Sequence, residues 1–150
     1  MQRKREKPFM SNPSPEIIDK VKVWLAFADD DIRIAEHAMK LKSNAPYRII
    51  AFHAQQCAEK YLKAYLVYHN VDFPYTHSIR RLLDLCARYA EWVNNIVDAK
   101  ELTPYATTAR YPGEEEVVTP AEAERAVKLA NKVRQQVRAA LKQLGMNLPK

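Results

Sequence analysis

Apolar residues recur at intervals of three and four along most of this chain, and no segment alternates regularly between apolar and polar residues. The first pattern is typical of an amphipathic α-helix, whereas alternation marks a half-buried β-strand. Gly, which is common in the turns of β-rich proteins, occurs only twice among 150 residues. The sequence therefore predicts an all-α fold, an antiparallel up-and-down bundle of about five helices with no sheet.

Recognisable helix boundaries separate the predicted helices. Thr119, Pro120 and Glu122 have the spacing of a capping box with Pro in the first turn, and Gly145 suits the end of that helix. Pro112 and Gly113 are expected to end the helix before it. The predicted helices cover residues 15–42, 47–69, 79–89, 93–109 and 120–144.

The chain is expected to form one domain over residues 15–145, with a basic disordered tail at 1–14 and a short C-terminal tail at 146–150. No apolar run reaches the ~18–20 residues of a membrane span, and the basic start lacks the apolar stretch of a signal peptide. Cys57 and Cys86 lie far apart and have no His pair at metal-ligand spacing. We therefore expect a cytoplasmic protein with no membrane contact, disulfide, metal or cofactor.

Positive charge is concentrated towards the two ends of the sequence. The net charge is +6, and from Arg125 onward the chain carries seven basic residues and no acidic one. Glu114, Glu115 and Glu116 form an acidic stretch between the basic ends. This distribution fits either a positive surface for a phosphate-bearing partner or simply a solvated helix face with a disordered tail.

Asp31 falls on the apolar stripe of the first predicted helix, about 60° from its centre at Ala28. A lone buried carboxylate is costly, so it needs a cation or several hydrogen-bond donors. We expect Lys60, Lys63 or Arg110 to supply that cation. Asp31 is then either half of a structural ion pair or a carboxylate of a functional site.

The second predicted helix carries a dense polar set and an apolar pair outside its main stripe. The polar residues are Gln55, Gln56, Glu59, Lys60 and Lys63. They fit either i,i+4 pairing along the helix surface or a groove that binds an anion. Ile49 and Phe52 lie opposite the apolar stripe, which predicts that a second helix or a second subunit covers them.

Four segments of the sequence combine into a recognisable pattern. The segments are Trp24-Leu25-x-x-Ala28-x-x-Asp31-Ile32-x-x-Ala35, Ala51-Phe52-His53-Ala54-Gln55-Gln56-x-Ala58-Glu59-Lys60-x-x-Lys63-Ala64, His77-Ser78-Ile79-x-x-Leu82-Leu83 and Ala109-Arg110-Tyr111-Pro112. Together they resemble the HEPN family (higher eukaryotes and prokaryotes nucleotide-binding domains). The most specific of them is the glutamine-glutamate-lysine block of the second helix.

The resemblance implies a homodimeric nucleotide- or RNA-binding module. Its partner would be a small nucleotidyltransferase in a two-component, toxin–antitoxin-like system. The candidate nucleotide- or phosphate-binding residues are Asp31, Gln56, Glu59, Lys60, Lys63, Arg110 and Tyr111. Arg110 alternatively fits a structural clamp, and a structural dimer without nucleotide affinity remains a further alternative.

Members of the wider superfamily that cut RNA without a metal carry an Arg, then four to six intervening residues, then His, commonly followed by a polar residue and Tyr. Arg48 and His53 match the first part, but Gln55 stands where Tyr would be. Residues five apart on a helix point about 140° apart, so this pair meets only through distortion or between two subunits. The alternatives are a catalytic pair, or a surface Arg beside a partly buried His. His37, His69 and His77 are expected to be surface or capping residues.

Overall fold

The computed structural model describes residues 12–107 and 117–149. Four α-helices and one 3₁₀ segment follow one another along the chain, and the described part of it contains no strand. The all-α prediction is therefore confirmed. The elements are α1 (Pro15–Met39), α2 (Tyr47–Tyr68), α3 (Ile79–Cys86), the 3₁₀ segment (Glu91–Thr107) and α4 (Pro120–Gln143).

Side-chain caps begin three of the helices. Ser14 Oγ accepts from the backbone N–H of Ile17 at 3.2 Å, and Ser78 Oγ accepts from that of Arg81 at 3.2 Å. At α4 the predicted capping box is present, because Thr119 and Glu122 each accept from the other's backbone N–H, at 3.1 and 2.9 Å. These bonds satisfy N–H groups that have no partner inside the helix.

The fourth predicted helix differs from a regular α-helix. The 3₁₀ segment is interrupted at Ile96, whose φ and ψ are −130° and 25°, and it contains Pro104. Proline has no N–H to donate and crowds the preceding turn, which opposes a continuous α-helix. The predicted end of this helix, the Pro112-Gly113 break and residues 1–11 of the predicted tail lie outside the described residues.

Helix α2 lies at the centre of the bundle. It packs most extensively against α1 and α4, and also against the 3₁₀ segment and α3. Most of its surface is therefore buried, and three of its polar residues, Gln55, Glu59 and Lys63, are buried with it. Burying a polar group is costly unless it has a hydrogen-bond partner, so each of these three side chains needs partners inside the bundle.

The chain remains packed on the bundle after α4. Gly145 adopts φ +105°, a conformation that favours glycine, and Met146 beyond it is buried. Tyr68 donates its hydroxyl hydrogen to the carbonyl oxygen of Leu144 at 3.2 Å. Across the described ranges, no helix has the length and apolar character needed to cross a membrane.

Candidate functional site

Asp31 of α1 lies beneath two side chains of α2. Its Oδ1 is 2.8 Å from Nδ1 of His53, and its Oδ2 accepts from Nζ of Lys60 at 2.6 Å. Asp31 is only 7% exposed, so the expected burial beside a cation is confirmed, with Lys60 as the cation. We call Asp31, His53 and Lys60 the Asp31 cluster.

The helical repeat explains why α2 supplies both partners of Asp31. His53 and Lys60 are seven residues apart, which is about two turns, so they project from the same face. Because a carboxylate only accepts hydrogen bonds, Nδ1 of His53 must carry the proton that it shares with Asp31. The other ring nitrogen, Nε2, is left to accept or, when the ring is protonated, to donate.

A second group of polar side chains centres on Glu59, which is 4% exposed. Glu59 Oε2 accepts from Nζ of Lys63 at 2.8 Å, and Oε1 accepts from Nε2 of Gln55 at 3.0 Å. Nδ1 of His77 lies 3.0 Å from the same Oε1. Gln56 extends the group by donating to Oε1 of Gln55 at 2.7 Å. We call these five residues the Glu59 network.

Two opposing effects act on the Glu59 carboxyl group. Burial alone would raise its pKa, but the hydrogen bonds from Lys63, Gln55 and His77 outweigh burial, and the pKa lies below its ordinary value. Glu59 is therefore ionised near neutral pH, and its charge is met by the Lys63 ammonium. The i,i+4 pairing considered for this helix is present between these two residues.

Aromatic rings enclose the Lys63 ammonium on its other sides. Its Nζ lies 5.8, 5.7 and 6.0 Å from the ring centroids of Trp24, Phe73 and Tyr75. A cation at this distance over an aromatic face is attracted to the ring. With Glu59 and three rings around it, and 5% exposure, Lys63 is a buried cation that holds the loop between α2 and α3 against the bundle.

His77 is more than the surface or capping residue that its spacing suggested. Its ring joins the Glu59 network, and its backbone carbonyl accepts from Nε2 of Gln55 at 3.1 Å. Its Nε2 is 3.2 Å from the Tyr75 hydroxyl. The only sequence signal was its place at the head of the His77-Ser78-Ile79 segment.

Arg48 and His53 project from different faces of α2 within one chain. No hydrogen bond or ion pair joins them in the described ranges, and the buried Nε of Arg48 has no hydrogen-bond partner there. The regular start of α2 explains this, because it keeps the pair about 140° apart. Arg110 and Tyr111 lie outside the described residues.

A third polar group had no counterpart in the sequence analysis. Asp29 Oδ1 accepts from the Tyr61 hydroxyl and, at 2.9 Å, from Nε of Arg134, while Arg138 lies 3.8 Å from Oδ2. Burial and the adjacent Asp29 carboxylate raise the pKa of Tyr61. The group ties α1, α2 and α4 together. The signal in the sequence was that Asp29 lies on the opposite flank of the α1 apolar stripe from Asp31, about 200° around the helix.

The two cysteines are free and buried. Burial raises the pKa of both thiols, to about 12 for Cys86. Neither is therefore a reactive thiolate. Nowhere in residues 12–107 and 117–149 do three or more His, Cys, Asp or Glu side chains form a group suited to a metal ion.

A model of the HEPN domain family matches residues 21–140, which include most of α1, all of α2, α3 and the 3₁₀ segment, and most of α4. The chain belongs to the HEPN domain family. The match spans both the Asp31 cluster and the Glu59 network, so both groups lie within the HEPN domain.

Two solved structures resemble this HEPN protein. The crystal structure of TT1696 from Thermus thermophilus is 31% identical, with a TM-score of 0.64 over 80% of this chain and 97% of that chain. An archaeal HEPN homologue, ST0689, is 24% identical, with a TM-score of 0.62 over 80% and 96% of the two chains. No functionally curated protein matches this chain.

Proposed function

We propose that this HEPN protein binds the phosphate groups of a nucleotide or RNA at the Asp31 cluster. The observation that carries the proposal is that one buried carboxylate positions two nitrogen donors from the same face of α2, each about a quarter exposed. The side chains of His53 and Lys60 are 24% and 23% exposed. Membership of the HEPN family supports this class of ligand.

The chemistry of the two donors suits an anion. The Lys60 ammonium uses one N–H for Asp31 and keeps two for another acceptor. His53 also donates to a phosphate through Nε2–H when its ring is protonated. Gln56 lies between them on the helix and is the third residue that we assign to this surface. Glu59 and Lys63 bind each other and support the surface from beneath.

Titration with ATP, GTP and a short single-stranded RNA tests the proposal. Binding should saturate and weaken as salt rises, because a phosphate contact releases counterions. Lys60→Gln should lower affinity about tenfold, the effect of one charge-assisted hydrogen bond. Lys22→Gln is the matched control, because Lys22 is exposed about 180° around α1 from Asp31 and its loss changes the net charge equally. Equal affinity in the two variants would contradict the assignment.

We also infer that the protein forms a homodimer. Val23, Phe27 and Ile34 lie within about 40° of one another on α1, and they are 53, 57 and 51% exposed. Ile49 and Phe52, which prompted this expectation, are only half-buried in the monomer. Clustered apolar side chains of this kind favour association with another protein surface.

The family resemblance supports a nucleotidyltransferase as the protein partner. The chromosomal neighbour of the gene is the first candidate. Calorimetric titration of this protein with the purified nucleotidyltransferase should show saturable binding if the two form a module. The absence of heat and of co-elution at micromolar concentrations would exclude that partner.

A second candidate function, metal-independent RNA cleavage, is favoured by the 2.8 Å contact between His53 and Asp31. A carboxylate that fixes the tautomer of a His leaves Nε2 able to take the proton of a ribose 2′-hydroxyl. Arg48 of a second subunit would offset the phosphate charge, since Arg48 and His53 point apart within one chain.

Incubation with RNA in EDTA separates the two functions. Cleavage should yield ends with 2′,3′-cyclic phosphate. His53→Ala should abolish it, and Arg48→Ala should slow it by about 10²-fold, as for other lost transition-state donors. Arg33→Ala, an exposed arginine of α1, is the control. If the unaltered protein leaves RNA intact while still binding it, the binding function stands alone.

A further inference from the structure

A hydrogen-bonded chain leads from the interior of the bundle to the surface beside the loop between α2 and α3. It begins at the buried carboxylate of Glu59, passes through His77 and ends at the hydroxyl of Tyr75. Tyr75 is 88% exposed, although its hydroxyl is held at 3.2 Å from Nε2 of His77. A surface tyrosine of this exposure would otherwise be bonded to water alone.

The direction of the hydrogen bonds fixes which nitrogen of His77 carries the proton. Glu59 is ionised, so its oxygens only accept, and Nδ1 of His77 must donate to it. In the neutral ring Nε2 is then unprotonated, and it accepts the hydrogen of the Tyr75 hydroxyl. This arrangement presents a base to a phenol, with a carboxylate behind the base.

The position of His77 is fixed from two sides. Its ring is held by Glu59, which is itself fixed by Lys63 and Gln55. Its backbone carbonyl accepts from the same Gln55 amide, so α2 holds both the main chain and the side chain of His77. A base held in this way loses little freedom when a proton is transferred to it.

We propose that Tyr75 is an acyl-acceptor site, a surface phenol that attacks an activated acyl carbon while His77 takes its proton. The phenol oxygen forms the new C–O bond, the hydroxyl proton moves to Nε2 of His77, and the bond to the leaving group breaks. The leaving group then takes up the proton. The product is O-acyltyrosine, and Tyr75 is modified once rather than turned over.

The surroundings of the phenol favour acyl over phosphoryl donors. Lys63 lies over the face of the Tyr75 ring, 6.0 Å from its centroid, and its ammonium is bound to Glu59. Within the described residues its Nζ bonds to Glu59 and not to the phenol oxygen, where a phosphoryl group would need a cation to offset its charge. The attacked carbon of an acyl donor belongs to a neutral group, so the donor can approach the phenol without a cation, and His77 supplies the base. Activated esters and thioesters are the class of donor that fits.

Acetylation with N-acetylimidazole, followed residue by residue by mass spectrometry, tests the proposal. In the unaltered protein Tyr75 should react at least about tenfold faster than in His77→Gln, since a positioned base contributes on this scale or more. The glutamine amide can still donate to Glu59 but cannot take a proton, which preserves the loop. His37→Gln, at an exposed histidine of α1, is the matched control and should leave the rate at Tyr75 unchanged.

The rate at Tyr89, which is 44% exposed, is measured in the same samples to correct for reagent concentration. His77→Ala provides a second test with a different side chain. Loss of the base should slow Tyr75 in both variants although its ring stays accessible. A rate at Tyr75 that is the same in the unaltered protein and in either folded His77 variant would overturn the proposal.

Discussion

At the scale of single residues, the α2 polar set divides into a surface part and a buried part. Lys60 and His53 keep about a quarter of their side-chain area exposed, whereas Glu59 and Lys63 keep only 5 and 7% of theirs. A buried ion pair costs desolvation, and it persists only where hydrogen bonds satisfy both partners. The Glu59 network meets that condition, while the Asp31 cluster leaves donors free for a ligand.

Removal of the Asp31 carboxylate should destabilise the protein. Asp31→Ala leaves a partly buried Lys60 ammonium without its partner, and we expect the free energy of unfolding to fall by about 1–3 kcal/mol. Urea denaturation at pH 7 measures the change. Asp30→Ala is the adjacent control, since Asp30 is 68% exposed and its contact with Arg33 is 3.9 Å long. It should cost under about 0.5 kcal/mol. Equal losses would show that Lys60 needs no buried partner.

The Glu59 network should make stability depend on pH in the acid range. Because folding lowers the pKa of Glu59, the ionised carboxylate adds to the free energy of unfolding. This contribution is fully present above the unfolded pKa of about 4.3. The contribution is lost as pH falls through the lower folded pKa. Denaturation from pH 7 to pH 3 should therefore show Glu59→Gln less stable at pH 7, with the difference shrinking towards pH 3. Glu124→Gln, exposed on α4, is the control, and a pH-independent difference for Glu59→Gln would argue against linkage.

At the scale of elements, the apolar repeat was sufficient to predict α1 and α2, and the repeat together with the capping box was sufficient to predict α4. Thr119 and Glu122 bond each other across three residues, so a local pattern contains the whole interaction. Asp31 was predictable for the same reason, because its burial follows from its place on one helix. The kink at Ile96 and the pairing of Glu59 with His77 depend on the path of the chain between distant elements. No local pattern encodes that path.

The capping box of α4 gives a prediction at this scale. Thr119→Ala removes the hydroxyl that accepts from the Glu122 N–H and should lower the free energy of unfolding by about 1 kcal/mol. Thr119→Ser retains the hydroxyl and should remain near the unaltered value. Urea denaturation of the three proteins gives the comparison. If Ser and Ala are equally destabilising, the lost methyl group rather than the cap is responsible.

At the scale of the whole molecule, both flanks of α1 bind the bundle, while a third face of the helix carries exposed apolar residues. Asp29 binds Tyr61 and the arginines of α4, and Asp31 binds His53 and Lys60 of α2, so α1 is tied to the bundle on both sides. The apolar residues Val23, Phe27 and Ile34 face outward instead. They lie about 40–80° around α1 from Asp31, so a subunit docked on them would approach the Asp31 cluster.

A substitution among these exposed apolar residues of α1 therefore tests the proposed homodimer. Light scattering after gel filtration should give roughly twice the chain mass of 17.4 kDa at micromolar concentration. Phe27→Glu places a charge within the outward apolar stripe and should reduce the mass to that of one chain, because an unpaired charge in an interface is costly to desolvate. Val97→Glu is the control, since Val97 is 44% exposed on the 3₁₀ segment and the change in charge is the same. A single-chain mass for the unaltered protein would exclude the dimer, and a dimer that survives Phe27→Glu would place the interface elsewhere.

If Phe27→Glu also abolishes RNA cleavage without reducing nucleotide binding, Arg48 and His53 act across two subunits.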